Sequence, residues 1–162
     1  MTNKEPWKEL HAYWQSKHRD DRPPARRDLD PLIEITSLVP NLMLLDLEDG
    51  SYRYRLVGTE VAKRSGIDMT GQLIGLAITE PGMRDQWRAA LDTVRDGQKP
   101  QLFLSLMPPG VTARYVTIML PLVGRSGKTE MILAGVFFDG YLPPGKRVPG
   151  LSPLDFGDES IT

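Results

Sequence analysis

The chain has 162 residues, 40% of them hydrophobic and 25% charged, which is the composition of one globular domain with a core of its own. Its net charge of −1 gives no electrostatic basis for binding nucleic acid, and its apolar runs are too short to span a membrane. The absence of cysteine excludes disulfides, thiolate metal sites and cysteine nucleophiles, and the first residues lack the apolar stretch of a signal peptide. We therefore expect a soluble protein of the cytoplasm.

The first predicted helix, Pro6–His18, is amphipathic. Trp7, Leu10 and Trp14 recur at the spacing of one helix face and form an apolar stripe. Because an isolated helix of this length is marginal in water, the stripe should dock on another surface. That surface is either the chain's own sheet or a second copy, and the sequence leaves both open. Together with the polar linker that follows, the helix makes up a unit of residues 1–28.

The next strong signal is a β-hairpin centred on Asp49 and Gly50. Asp-Gly supplies the positive φ angles that a tight hairpin turn needs. The run before the turn, Leu42–Leu47, is almost wholly apolar, which indicates a strand covered on both faces. In the run after the turn, the alternation of a strand places two sets of side chains on opposite faces: Tyr52, Tyr54 and Leu56 on one, and Arg53, Arg55 and Val57 on the other.

Two helices are predicted after the hairpin. The first is short, Thr59–Ser65, and Gly66 is suited to end it. The second, Pro81–Asp96, has the clearest helical periodicity in the chain, and it should pack on the sheet through one apolar face. That face carries Met83, Trp87, Leu91 and Val94.

Three strands are predicted next, at Gln101–Met107, Thr112–Leu122 and Glu130–Phe138. The last is nearly all apolar and should lie beside Leu42–Leu47 in the middle of the sheet. The order of elements therefore predicts an α+β fold around one five-stranded antiparallel sheet. On this interpretation the domain covers residues 29–140, and residues 141–162, with their prolines and glycines, form an extended tail.

Four short motifs in the chain resemble those of a known family. The motifs are Arg27-Asp28-Leu29-Asp30-Pro31, Leu38-Val39-Pro40-Asn41-Leu42, Tyr54-Arg55-Leu56-Val57-Gly58-Thr59 and Met69-Thr70-Gly71. They are similar to the bacterial family of stand-alone PAS-like domains, and the similarity runs from roughly Leu10 to Asp139. The resemblance implies a PAS fold, in which a five-stranded antiparallel sheet carries helices on one face. It also implies an N-terminal amphipathic helix that commonly mediates dimerisation.

The resemblance implies a role in sensing or signalling instead of catalysis. The chain is then expected to act, as a homodimer, through small-ligand binding and/or contacts with a protein partner such as a kinase or regulator. No ligand or cofactor is carried across, because the ligands of this family are largely undefined. Two alternatives stay open. One is a small-molecule enzyme whose pocket is lined by Arg55, and the other is a structural adaptor that binds no ligand.

A PAS domain holds its ligand between helix and sheet, and six residues are candidates for lining such a cavity: Tyr54, Arg55, Trp87, Leu91, Tyr115 and Thr117. For each of them the alternative is an ordinary structural place. Arg55 is either a buried donor for a carboxylate or phosphate ligand or a structural bridge to Asp46 or Glu48 across the hairpin. The sequence does not decide which face of the Thr112–Leu122 strand looks inward.

No motif predicts catalysis or metal binding. His11 and His18, the two histidines of the chain, lie seven residues apart without a carboxylate cluster beside them, so packing or surface roles are expected. No histidine is placed to activate Ser65, and no pair of carboxylates stands in an apolar setting. Gly127-Lys128-Thr129 lacks the glycine that a phosphate-binding loop requires five residues earlier.

Overall fold

A computed structural model describes residues 5–30, 34–66, 68–74, 81–106, 109–140 and 150–156 of the chain. The helices are α1 (Pro6–Ser16), α2 (Thr59–Ser65) and α3 (Pro81–Gly97), and short 3-10 turns lie at Arg26–Asp28 and Thr36–Asn41. The strands are β1 (Leu42–Glu48), β2 (Ser51–Val57), β3 (Gln101–Leu106), β4 (Arg114–Val123), β5 (Thr129–Asp139) and β6 (Gly150–Leu154). The predicted α+β class and each of the predicted strands are confirmed.

The strands form one antiparallel sheet in the order β2-β1-β5-β4-β3-β6. The two most apolar strands, β1 and β5, are neighbours, from Leu42 opposite Gly135 to Asp46 opposite Met131, as their composition predicted. A strand covered on both faces needs apolar side chains on both, which is why these runs do not alternate.

The prediction of five strands was one strand short. β6 lies within the stretch predicted to be an extended tail, and it pairs with β3 from Leu102 opposite Leu154 to Leu106 opposite Gly150. Its sequence, Gly-Leu-Ser-Pro-Leu, contains a proline and carries no strand signal of its own. The strand forms because β3 offers it an unpaired edge. The remaining tail residues, 141–149 and 157–162, fall outside the described part of the chain.

The sheet is covered on both faces, by different helices. α1 packs on β4 and β5 from one side, while α3 packs on the same two strands from the other. The helices expected on one face of the sheet are α2 and α3. The N-terminal helix, α1, covers the other face. Two apolar clusters result. The α1-side cluster includes Trp7, Leu10, Trp14, Leu44, Leu102, Val116, Ile118 and Leu133. The α3-side cluster includes Tyr52, Tyr54, Leu91, Val94, Phe103, Met119, Ile132 and Val136.

The hairpin turn is confirmed, but the alternation predicted after it fails at one point. Asp49 and Gly50 have φ angles of 50° and 77°, as a tight hairpin turn requires. Further along β2, Leu45 lies opposite Tyr54 and Leu44 opposite Leu56, so Arg55 is the extra residue of a β-bulge. The bulge reverses the facing of the residues after it. Leu56 is therefore 40% exposed, and Val57 packs against the α3-side cluster in its place.

Candidate functional site

The apolar stripe of α1 is buried against the chain's own sheet. Trp7, Leu10 and Trp14 are 1%, 0% and 3% exposed. The indole N–H of Trp14 donates to the carbonyl oxygen of Pro121 in β4 over 2.9 Å, which fixes the helix to the strand. Of the two surfaces that the sequence left open, the structure uses the sheet. These three side chains are therefore not available to a second copy while α1 is docked.

Five of the six candidate cavity residues lie on the α3 side of the sheet. Tyr54, Leu91 and Thr117 are buried there, with exposures of 2%, 0% and 1%. Tyr115 is also buried and stacks edge-on against Phe138, at 4.6 Å between ring centroids. Trp87 packs half-buried against the same cluster. The face of β4 that carries Tyr115 and Thr117 is therefore the one that looks toward α3.

Arg55 does not belong with the other five. Its Nε donates to Asp46 Oδ2 over 2.6 Å across the hairpin, and its side chain is 64% exposed. The structure thus contains the bridge to Asp46 that was one of its two interpretations. Arg53 also forms structural hydrogen bonds. It donates to both carboxylate oxygens of Glu48 and, over 2.6 Å, to the carbonyl oxygen of Gly71. The hydrogen bond from Arg53 holds the pKa of Glu48 below its usual range.

The α3-side face contains a buried hydroxyl with no hydrogen-bond partner among the described residues. Thr117 Oγ1 is inaccessible to solvent and bonds to none of the described residues. A buried hydroxyl of this kind is uncommon in a finished core, because an unsatisfied buried polar atom costs about 1–3 kcal/mol. On the same face, burial raises the pKa of Tyr54, so its hydroxyl stays neutral.

A tyrosine–aspartate pair connecting β2 to α3 was not predicted. Tyr52 donates from its hydroxyl to Asp92 Oδ1 over 2.5 Å, and burial together with this carboxylate raises the pKa of Tyr52. Arg88 also bonds to the carbonyl oxygen of Gly50 in the hairpin turn, over 2.8 Å. The alternation of Tyr52 with Tyr54 was a signal that both tyrosines point toward α3. The position of Asp92 opposite Tyr52 depends on how α3 crosses the sheet.

Both histidines have packing roles, as expected. The ring of His11 lies 4.6 Å from that of Phe156 and 6.2 Å from that of Trp14, between centroids. The ring of His18 meets the indole of Trp14 edge-on at 4.3 Å. Burial, and then repulsion from His18, lower the pKa of His11 below its ordinary value. Within the described residues no three side chains are grouped as a metal site would need.

Two shallow surface depressions are lined by residues other than Trp87, Leu91 and Thr117. One, of about 360 Å³, lies at the end of α1 and the linker after it, and it is lined by Ser16, Lys17, His18, Arg19, Arg27 and Asp28. The other, of about 560 Å³, lies beside the hairpin and contains Arg55. Three carboxylates, those of Asp46, Glu48 and Glu130, share it with this arginine. Because the acidic groups outnumber the single guanidinium, this depression is poorly suited to an anionic ligand.

A single antiparallel sheet with a buried helix–sheet layer beneath α3 defines an α+β domain of the PAS fold. The chain belongs to the PAS domain family, whose sequence profile matches residues 2–137. Membership of this family places it among sensory and signalling modules, a class that is typically non-enzymatic. No curated protein matches the chain. In the described residues no helix has the length and apolar character needed to cross a bilayer.

Two solved structures are similar to this chain. The PAS domain of BvgS from Bordetella pertussis matches with a TM-score of 0.50 at 17% identity, over 69% of this chain and 89% of that one. A variant of RsLOV matches with a TM-score of 0.46 at 15% identity, over 89% of this chain and 73% of that one. At such identities, the likeness to the BvgS domain concerns the fold alone.

Proposed function

We propose that the chain is a non-enzymatic PAS-type sensory module that holds a small ligand between α3 and the sheet and signals through protein contacts. The observation that carries the proposal is the buried hydroxyl of Thr117, which has no partner among the described residues. A ligand that bonds to this hydroxyl would remove a cost of about 1–3 kcal/mol. Mostly apolar walls with a few polar groups are what a small-molecule site requires.

The order of the strands supports one position for the proposed ligand. Thr117 lies on β4, and Tyr54 lies three strands away on β2, which is about 14 Å at the usual strand spacing. One small ligand would therefore contact one of the two hydroxyls. Because α3 packs on β4 and β5, the site beneath it is centred on Thr117. Leu91 and Trp87 of α3 are its apolar wall in this proposal.

Native mass spectrometry of freshly purified protein tests the proposal. The wild-type chain should carry a bound small molecule, and Thr117→Val should lose it or carry much less of it. Thr129→Val is the matched control, since the Thr129 hydroxyl already donates to the carbonyl oxygen of Arg95 over 2.9 Å. A wild-type chain that carries no bound mass, or a ligand retained equally by Thr117→Val, would refute a site centred on this residue.

The ligand-free adaptor is the second candidate, and the burial of Tyr54, Leu91 and Thr117 favours it. In that case the α3-side face is a filled core and the chain acts through protein contacts alone. The third, an enzyme with Arg55 as an anion clamp, has no such support, because Arg55 is exposed and bonded to Asp46. Turnover of a metabolite that disappears in Arg55→Ala would reverse this order.

Signalling through a partner, such as a kinase or regulator, is part of the proposal. Since Trp7, Leu10 and Trp14 are buried against the sheet, a homodimer would need another surface or an undocked α1. Light scattering of the wild-type chain across a range of concentrations distinguishes a monomer from a dimer directly.

A further inference from the structure

Residues 150–156, which we call the C-terminal strap, run along the outer edge of β3 and reach both faces of the sheet. Leu151 packs against the α3-side cluster. Leu154 and Phe156 pack against the α1-side cluster. This is the alternation of an extended strand, in which successive side chains point to opposite faces. One short segment therefore contributes side chains to both halves of the core.

Each end of the strap is joined to a different helix. At its start, the backbone N–H of Leu151 donates to Gln86 Oε1 of α3 over 2.7 Å. At its end, the ring of Phe156 lies against two rings of α1, those of Trp7 at 5.9 Å and His11 at 4.6 Å between centroids. The strap thus connects the helix over the proposed ligand site with the helix on the opposite face.

The strap is less deeply buried than β4, a central strand of the sheet. Within it, Gly150 is buried, four residues are half-buried, and Pro153 and Asp155 are exposed. In β4, by contrast, eight consecutive residues are buried. Segments with few buried contacts open locally at a lower free energy than the core does. The strap should therefore leave the sheet without global unfolding.

Beneath the strap lie apolar side chains and the outer edge of β3. Leu102 and Phe103 of β3 and Trp7 of α1 are 1%, 6% and 1% exposed with the strap in place. Removing the strap would expose the backbone donors and acceptors of β3 beside these side chains. An exposed apolar strand edge is a template for pairing with another extended segment.

We propose that this surface is a docking site for an extended segment of a partner protein, and that the strap is its occupant within the chain. The mode is β-strand addition, in which backbone hydrogen bonds supply affinity and alternate side chains supply specificity. The strap itself gives the pattern to be recognised: leucine, two residues of any kind, leucine, one residue of any kind, and an aromatic residue. This inference deepens the proposed function, because it names the surface through which the module would signal.

The backbone sets a further requirement on the partner. Since the N–H of Leu151 is taken by Gln86, it points away from β3, and by alternation so does position 153. The N–H groups of Ser152 and Leu154 then face β3. A partner segment can accordingly carry proline at the position of Pro153 but not at those of Ser152 or Leu154.

Competition between a labelled peptide and the strap tests the proposal. The probe is a fluorescent peptide with the sequence of residues 150–156. The receiving chain carries Leu151→Ala, Leu154→Ala and Phe156→Ala, which weaken the strap and leave its docking surface intact. This variant should bind the peptide at least about tenfold more tightly than the wild-type chain, in which the tethered strap competes at high effective concentration. A peptide with serine at all three anchor positions is the control.

Three results would overturn the proposal. They are equal binding of the peptide by both chains, binding by neither, and equal binding of the control peptide. Two wild-type copies could also exchange their straps, which would give a dimer that the triple variant cannot form. Such a dimer would show that the surface binds a second copy and not a partner protein.

Hydrogen exchange on the wild-type chain tests the same idea without any variant. The amides of Ser152 and Leu154 should exchange at least about 100-fold faster than that of Ile132 in β5, because the strap opens separately from the core. Equal rates would mean that the strap opens only with the whole domain, which would refute its release. Neither measurement depends on a bound ligand. The proposal for the strap can therefore be refuted while the mass-spectrometric test supports the ligand site, and the reverse also holds.

Discussion

At the scale of single residues, two buried threonines on neighbouring strands differ in one respect. Thr117 of β4 has no hydrogen-bond partner among the described residues. Thr129 of β5 donates to the carbonyl oxygen of Arg95, in the last turn of α3. Carbonyls in a final helical turn lack partners within the helix, so Thr129 satisfies a group that would otherwise stay unpaired. A threonine hydroxyl thus lowers stability at position 117 and satisfies a helix carbonyl at position 129.

This contrast predicts opposite effects of one substitution. In protein freed of any ligand by unfolding and refolding, Thr117→Val should raise the free energy of unfolding by about 1 kcal/mol, because an isosteric methyl group replaces an unsatisfied hydroxyl. Thr129→Val should lower it by about 1 kcal/mol. Urea unfolding of both variants measures the difference. Two changes of the same sign would show that the Thr117 hydroxyl has a partner in solution.

At the scale of elements, α1 is attached to the sheet by two tryptophans that are not equivalent. Both indoles are buried, and within the part of the chain that the structure describes only that of Trp14 has an acceptor, the carbonyl oxygen of Pro121. The Trp7 Nε1–H has no partner in the described part of the chain. Trp7 therefore contributes apolar packing, while Trp14 contributes packing together with a hydrogen bond to β4.

The two tryptophans should respond differently to replacement by phenylalanine. Trp14→Phe removes the donor and leaves the carbonyl of Pro121 buried, so it should cost about 1 kcal/mol more stability than Trp7→Phe, which loses packing alone. Guanidinium unfolding of the two single variants gives the comparison. Equal losses would mean that the Trp14 hydrogen bond has no net value.

The contact between α1 and the strap should also depend on pH. Burial and the neighbouring His18 lower the pKa of His11 from its ordinary 6.5, so the folded state favours neutral imidazole. As pH falls through about 6.5, the unfolded chain takes up the proton first. The stabilisation that neutral His11 gives the folded state is therefore complete above that pH. It is lost as the pH falls toward the lower pKa that His11 has in the folded state.

The free energy of unfolding of the wild-type chain should consequently decrease between about pH 7.5 and about pH 5.5, and that of His11→Gln should decrease less. Urea titrations of both proteins at the two pH values measure this. An identical decrease in both proteins would assign the pH dependence to other groups.

At the scale of the whole molecule, each edge of the sheet is blocked at particular positions against further pairing. On the outer side of β2, Tyr54 exchanges backbone hydrogen bonds with Gly71 and Gln72, at 2.6 and 2.9 Å. On the outer side of β6, Gln86 caps the N–H of Leu151, and Pro153 has no N–H to offer. Natural sheets block their edges in such ways because an open edge invites association.

Opening the β6 edge should therefore cause self-association. The double substitution Gln86→Ala and Pro153→Val frees one N–H and adds another, so the particle mass should rise with protein concentration. Light scattering over a concentration series measures it, with Asp85→Ala, an exposed change on the same helix, as the control. A double variant that keeps a constant mass would show that other features protect this edge.

Much of the architecture could be predicted from the sequence. The hairpin followed from Asp49-Gly50, the centre of the sheet from the unbroken apolar runs of β1 and β5, and the α1 stripe from helical spacing. The candidate site was predicted less well. Five of its six residues do lie on the α3 side: Tyr54, Trp87, Leu91, Tyr115 and Thr117. The role of Arg55 was left open and the facing of Leu56 was predicted wrongly, because strand alternation does not reveal a bulge. Asp92 and Gln86 were missed because their partners are far along the chain.

The sequence by itself determined where the helices α1 to α3 and the strands β1 to β5 form and which strands are covered on both faces, since turn chemistry and hydrophobic periodicity act over a few residues. The tertiary structure decided the rest: that α1 docks on its own sheet, that Arg55 forms a bridge at a bulge, that Thr117 is buried without a partner, and that residues 150–154 become a sixth strand. Each of these depends on a surface built from distant parts of the chain. A short segment such as Gly150–Leu154 becomes a strand only because β3 has an edge for it to join.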